Sequence, residues 1–106
     1  MAWIYLLFAG LTEIAWAIGL KYTQGWTRLW PSVATLALMI VSFGFLSQAI
    51  KALPIGTAYA VWTGIGAIGT ALIGIFVFAE PRTAIRFLCI ALILAGIVGL
   101  KVTSSE

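Results

Sequence analysis

A single glutamate stands in the apolar stretch GLTEIAWA (10–17); nothing charged precedes it, and the next charge is Lys21. At helical spacing Glu13 shares a face with Ala9 and Gly10 before it and with Trp16 and Ala17 after it. The small residues leave space beside the carboxylate, and Trp16 offers an aromatic face one turn on. A carboxylate next to an aromatic ring is a cation site, through ion pairing to one and cation–π attraction to the other. Farther along, AYAVWT (58–63) sets Tyr59 and Trp62 three apart on one face, and Ser42 lies mid-run with Leu38 and Met39 on its face. Taken alone, Trp62 and Met39 are the residues of ordinary packing, and Ser42 serves equally well as helix-to-helix glue. Glu13 is different. A structural carboxylate in a membrane would want a basic partner, and no apolar run holds Lys or Arg in its interior. A charge at that depth costs several kcal/mol and marks function.

The chemistry follows from desolvation, which penalises the charged form of a buried carboxyl group; two such groups close together in a dimer titrate as a coupled unit. Such a group holds a proton or a cationic substrate, but not both. That exclusion is the minimum needed to exchange one for the other across a membrane. The Tyr59 and Ser42 hydroxyls, or an indole N–H, are the available donors for the ionised form.

The elements that position these residues are read from hydropathy. Of 106 residues 63% are hydrophobic and 8% charged, whereas a soluble domain carries about 25% charged residues. The chain therefore belongs in a bilayer, and its fold class is all-α integral membrane. Four apolar runs span about 2–20, 30–50, 55–79 and 84–100, in one transmembrane domain over 1–106. Each suits a hydrocarbon core of roughly 30 Å. The links are KYTQGWTR (21–28), KALP (51–54) and EPRT (80–83). Trp3, Trp26 and Trp30 fall near the expected interfaces, as an aromatic belt requires. The first run is expected to be retained, not cleaved as a signal peptide: no positive region precedes it, and Glu13 interrupts it.

The six basic residues fall between or at the ends of the runs, where they anchor the interface, so no nucleic-acid partner is expected. With no His and only Cys89, neither a transition-metal site, nor a cofactor, nor an intrachain disulfide is expected. No catalytic residues stand out, and an enzyme is not expected. Lys21, Arg28, Arg82 and Arg86 lie on one side; Lys51 and Lys101 lie on the other. That weak bias leads to the expectation of insertion in both orientations. Four short helices do not readily surround a cavity, so an inverted second copy, an antiparallel dual-topology homodimer, would supply the missing half.

Two glycine patterns remain. Residues 64–69 match G-x-G-x-x-G, but the dinucleotide fingerprint needs a strand before it, and here it lies inside a span. Gly64 and Gly66 are instead candidates for a hinge. Ala91, Ala95 and Gly99 repeat every four residues, a stripe suited to close helix pairing and hence to a dimerisation arm.

The stretches GLTEIAWAIGLKYTQGWTRLWPS (10–32) and LPIGTAYAVWTGIGAIGTALIG (53–74), with the Glu80-Pro81 turn, make the whole chain resemble the small multidrug resistance family of bacterial exporters. Trp16 directly after Ala15, the Leu20-Lys21-Tyr22 exit and Lys101 look like its guanidinium-exporting subtype; quaternary-ammonium exporters typically carry a small residue where this chain has Trp16. The resemblance implies a multi-pass protein of the bacterial inner membrane, an antiparallel homodimer exchanging protons for guanidinium by alternating access. It also implies that Glu13 binds both, with Gly10, Trp16, Ser42, Tyr59 and Trp62 around it, and that the Gly64–Gly66 stretch is a helix kink. The residues agree on size: guanidinium is planar and donor-rich, and a carboxylate accepts two of its N–H groups side by side. Trp16 narrows the space. Met39 and Phe43 would form a portal for substituted substrates. The alternatives are a multidrug exporter of lipophilic quaternary cations, and a passive channel or small scaffold subunit.

Overall fold

The computed structural model describes residues 2–103. Four helices follow in order: α1 (Ala2–Tyr22), α2 (Leu29–Ala49), α3 (Ile55–Val77) and α4 (Ala84–Thr103). Each is long and apolar enough to cross a membrane. In hydrocarbon the backbone must satisfy its own hydrogen bonds, which a helix does along its length.

The links explain where the helices stop. Lys21 and Tyr22, expected in the first link, belong to α1. The break comes at buried Thr23, whose hydroxyl donates to the Leu20 carbonyl at 2.8 Å and accepts the Trp26 N–H at 3.2 Å. Gln24, Gly25 and Trp26 then all take positive φ, of 51°, 72° and 69°, a region only glycine enters freely. Pro31 sits in the first turn of α2, where its missing N–H costs nothing. Between α2 and α3 the Leu53 N–H returns to the Ala49 carbonyl at 3.1 Å, and Pro54 opens α3. The third helix ends two residues sooner than expected, because the Gly74 carbonyl accepts both the Phe78 and Glu80 N–H groups and Ala79 turns to φ 56°. The fourth runs on to Thr103, beyond the expected 100.

Hairpin links make successive helices antiparallel. At one end Lys101 lies over the Trp3 ring at 4.8 Å; at the other Lys21 lies over Phe78 at 4.9 Å. Packing is uneven. The first helix contacts both α2 and α3, the third contacts α4, and α2 barely meets α3. The result is a row, α2–α1–α3–α4, with Cα extents of 43 × 35 × 16 Å. At the usual 8–10 Å between helix axes, a slab that thin encloses no chamber. Its core, built from residues such as Leu6, Ala9, Ala49, Val61 and Trp62, gathers where α1, α2 and α3 meet. Among the described residues α4 buries no side chain.

Candidate cation site

Small residues let α1 and α3 close on each other, and this approach builds the site. A Cβ at Gly10 would overlap the Ile65 side chain, one at Gly66 the Glu13 carboxylate, and one at Gly69 the Ile14 side chain. Gly66 thus forms the floor under the carboxylate. Gly64 faces α4 instead, where an added Cβ would lie 2.9 Å from Ile97 Cδ1. The third helix is continuous through Gly64 and Gly66, so both glycines serve close packing here. The hinge expected at these glycines concerns motion between states; the floor under Glu13 is an added role. Its only signal was their small size on the helix that must pass Glu13.

The Glu13 carboxylate is half-buried, and its buried Oε1 has no hydrogen-bond partner. Trp16, one turn on, also buries an unpartnered indole N–H. An unmet buried polar atom costs about 1–3 kcal/mol. Among the described residues the one ion pair is Glu80–Arg86, at 3.4 Å, in the third link and the start of α4. No basic side chain therefore neutralises Glu13.

A second polar group ties the same helices together. Ser42, fully buried, donates to the Ala9 carbonyl at 2.7 Å and accepts the Trp62 indole N–H at 3.0 Å. One hydroxyl thereby ties α2 to α1 and to α3, and fixes the Trp62 ring. Its proton is engaged by Ala9, so in this arrangement Ser42 offers no donor to Glu13. From Trp62 the rings continue edge to face: Tyr59 at 5.5 Å, Phe43 at 5.6 Å, then Trp16 at 6.5 Å from Phe43. Such pairs add about 0.5–1.5 kcal/mol beyond area burial. Phe43, expected at a portal, is the ring that links Trp16 to Trp62. Nothing in its residue type marked that bridge. Met39 is half-buried one turn before it, and Tyr59 is 55% exposed.

The structure therefore gathers Gly10, Glu13 and Trp16 on α1 with Ser42 and Phe43 on α2 and Tyr59, Trp62 and Gly66 on α3. Ala91, Ala95 and Gly99 stand apart, exposed on α4; a Cβ at Gly99 would meet nothing within 4 Å. An acceptor without a donor, one turn from the Trp16 ring that begins the aromatic chain, can receive a proton or a flat cation. No group of His, Cys, Asp and Glu suited to a metal occurs among the described residues.

Comparison with known proteins narrows the reading. Residues 1–93 match the family model described as Small Multidrug Resistance protein. The chain is 61% identical over 104 residues to a guanidinium exporter of Proteus vulgaris, covering 98% of this chain and 100% of that one. It is 59% identical over 104 residues to a guanidinium exporter of Citrobacter freundii (98% and 99% covered) and 54% identical over 104 residues to one of Salmonella typhi (98% and 99%). Four apolar helices and bacterial exporter relatives indicate a multi-pass protein of the bacterial inner membrane.

Proposed function

The chain belongs to the small multidrug resistance family, and on that premise we propose that it exports guanidinium in exchange for protons, with Glu13 as the shared site. The observation that carries this reading is the buried Glu13 oxygen that no donor of its own chain meets. Guanidinium offers paired N–H donors that fit a carboxylate side by side, and its flat face suits indole and phenyl rings. Protonation of Glu13 removes the charge that holds the cation, so each occupant displaces the other. Gly10, Trp16, Ser42, Tyr59 and Trp62 shape the site, Met39 and Phe43 admit substituted substrates, and α3 bends at Gly64 and Gly66 as access alternates.

The working unit is an antiparallel homodimer. A slab 16 Å thick cannot surround a substrate, and a second copy inverted in the membrane closes the chamber. The weak charge bias permits both orientations, and the exposed Ala91–Ala95–Gly99 stripe gives α4 a face for pairing. Proteoliposomes test the reading. Guanidinium currents should reverse with an imposed pH gradient and vanish in Glu13→Gln. Currents with tetramethylammonium but not guanidinium would move the chain to the quaternary-cation exporters. Currents indifferent to the pH gradient would make it a passive channel.

A further inference from the structure

Among the described residues, six buried side-chain nitrogen or oxygen atoms find no hydrogen-bond partner. Three of them, in Trp3, Ser32 and Arg86, lie in the first turns of α1, α2 and α4, at the expected membrane interface. The other three lie in mid-span: Glu13 Oε1, the Trp16 indole N–H and the Thr70 hydroxyl. Thr70 has no part in the site described above. Other threonines show what a hydroxyl inside a helix ordinarily does. Those of Thr12, Thr63 and Thr103 donate to the carbonyl four residues back, at 2.8, 2.9 and 2.8 Å. The Thr70 hydroxyl is buried yet leaves the Gly66 carbonyl alone. Gly66 is the floor under the Glu13 carboxylate, and Thr70 stands one turn further along the same face of α3. The first and third helices run the same way, with Glu13 over Gly66 and then Ile14 over Gly69. Cα–Cβ bonds tilt toward a helix N-terminus, so Thr70 leans back toward Gly66, and Trp16 back toward Glu13.

We infer that the Thr70 hydroxyl is the donor that holds Glu13 in its ionised form, with the Trp16 indole N–H behind it. The atoms match: an indole N–H only donates, an ionised carboxylate only accepts, and a hydroxyl does both. One chain, from Trp16 Nε1–H to Thr70 Oγ1 and from the Thr70 O–H to Glu13 Oε1, satisfies all three. A turn about the Thr70 χ1 bond makes it, since no carbonyl holds the hydroxyl. Ser42 is not available, because its proton is engaged by Ala9. A carboxylate has about four acceptor sites, so Thr70 takes one and leaves the others to guanidinium. Few titratable groups surround Glu13. The second helix has none, α3 has only Tyr59, and α1 has Tyr5 two turns before with Lys21 and Tyr22 at its end. Lys101 of α4 meets α1 at Trp3, at the opposite end from Lys21. Resting on Glu13 as the exchanging group, this makes Thr70 a positioning residue that sets the pH at which proton and cation trade places.

Infrared spectra of the intact protein in lipid vesicles, without guanidinium, follow the protonated carboxyl stretch of Glu13, assigned by its loss in Glu13→Gln. Thr70→Val keeps the shape and removes the hydroxyl. It should move the titration midpoint up by about one pH unit, the effect of losing one hydrogen bond to a charged group. Thr70→Ser, which restores the hydroxyl, should restore the midpoint. Guanidinium affinity of Thr70→Val should fall about tenfold at acidic pH and keep its alkaline value. Should Thr70→Val fail to fold, Trp16→Phe, which keeps a ring but loses the N–H, should shift the midpoint the same way by less. An unmoved midpoint in Thr70→Val overturns the inference and leaves the proposed exchange standing. So does an affinity that falls equally at every pH, which would put Thr70 on the cation itself. A wild-type affinity indifferent to pH would sink the exchange instead, and the infrared midpoint, read without guanidinium, would still decide the role of Thr70.

Discussion

The first and fourth helices are matched in length, at 21 and 20 residues, and both carry small residues at helical spacing. Their surroundings are opposite. Ala9 and Gly10 of α1 are buried against α2 and α3, whereas Ala91, Ala95 and Gly99 of α4 are exposed, and a Cβ at Gly99 would find open space. Helix association in a bilayer rests on close packing and interhelical hydrogen bonds, since lipid is as apolar as leucine. The α1 seam has both: glycines that admit Ile65 and Glu13, and the Ser42 bond to the Ala9 carbonyl. The α4 face has only the small residues, and on the function proposed above its partner is a second copy. A small-residue stripe therefore says that a helix will be approached closely, but not by what.

Substitutions that swap the two environments sharpen that contrast. Gly66→Leu should do the most harm, because even a Cβ there overlaps the Glu13 carboxylate. Overpacking of about 1–3 kcal/mol should appear as a lowered thermal midpoint together with lost guanidinium transport. Ser42→Ala leaves the Trp62 N–H unpaired and unties three helices, costing about 1–3 kcal/mol; transport should fall with it, and tryptophan fluorescence should shift as the Trp62 ring loosens. Phe43→Ala removes the ring between Trp16 and Trp62, costing about 0.5–1.5 kcal/mol of ring pairing, and should widen tolerance for alkylated guanidines. Gly99→Leu should leave the fold of the single chain unchanged, as its added atoms find open space. Its effect should appear only in the dimer fraction, read by cross-linking in membranes. If Gly99→Leu lowered the stability of the monomer as Gly66→Leu does, the distinction between the two helices would collapse.

The four spans were legible because a bilayer imposes a length and a composition that hydropathy measures directly. Their ends were less so. Lys21 and Tyr22 look like link residues, yet α1 continues until the Thr23 hydroxyl and the left-handed turn after it break the ladder. Likewise α3 stops when the Gly74 carbonyl captures two N–H groups. Glu13 was legible as an anomaly of charge, and Trp16 by its spacing from it. The partners of Ser42, the bridging place of Phe43 and the position of Gly66 under the carboxylate were not. Each depends on the rotation of one helix against another, which the periodicity of a single helix does not contain.

The central claim is that proton and guanidinium compete for Glu13. Guanidinium affinity of the purified protein as a function of pH tests it most directly. Protonation removes the carboxylate charge, so affinity should weaken as pH falls, by about tenfold per unit in the acidic limit if one proton competes with one cation. Binding should release protons in an unbuffered solution, and Glu13→Gln should abolish both binding and release. A guanidinium affinity that is flat across pH, or proton release that persists in Glu13→Gln, would contradict the account.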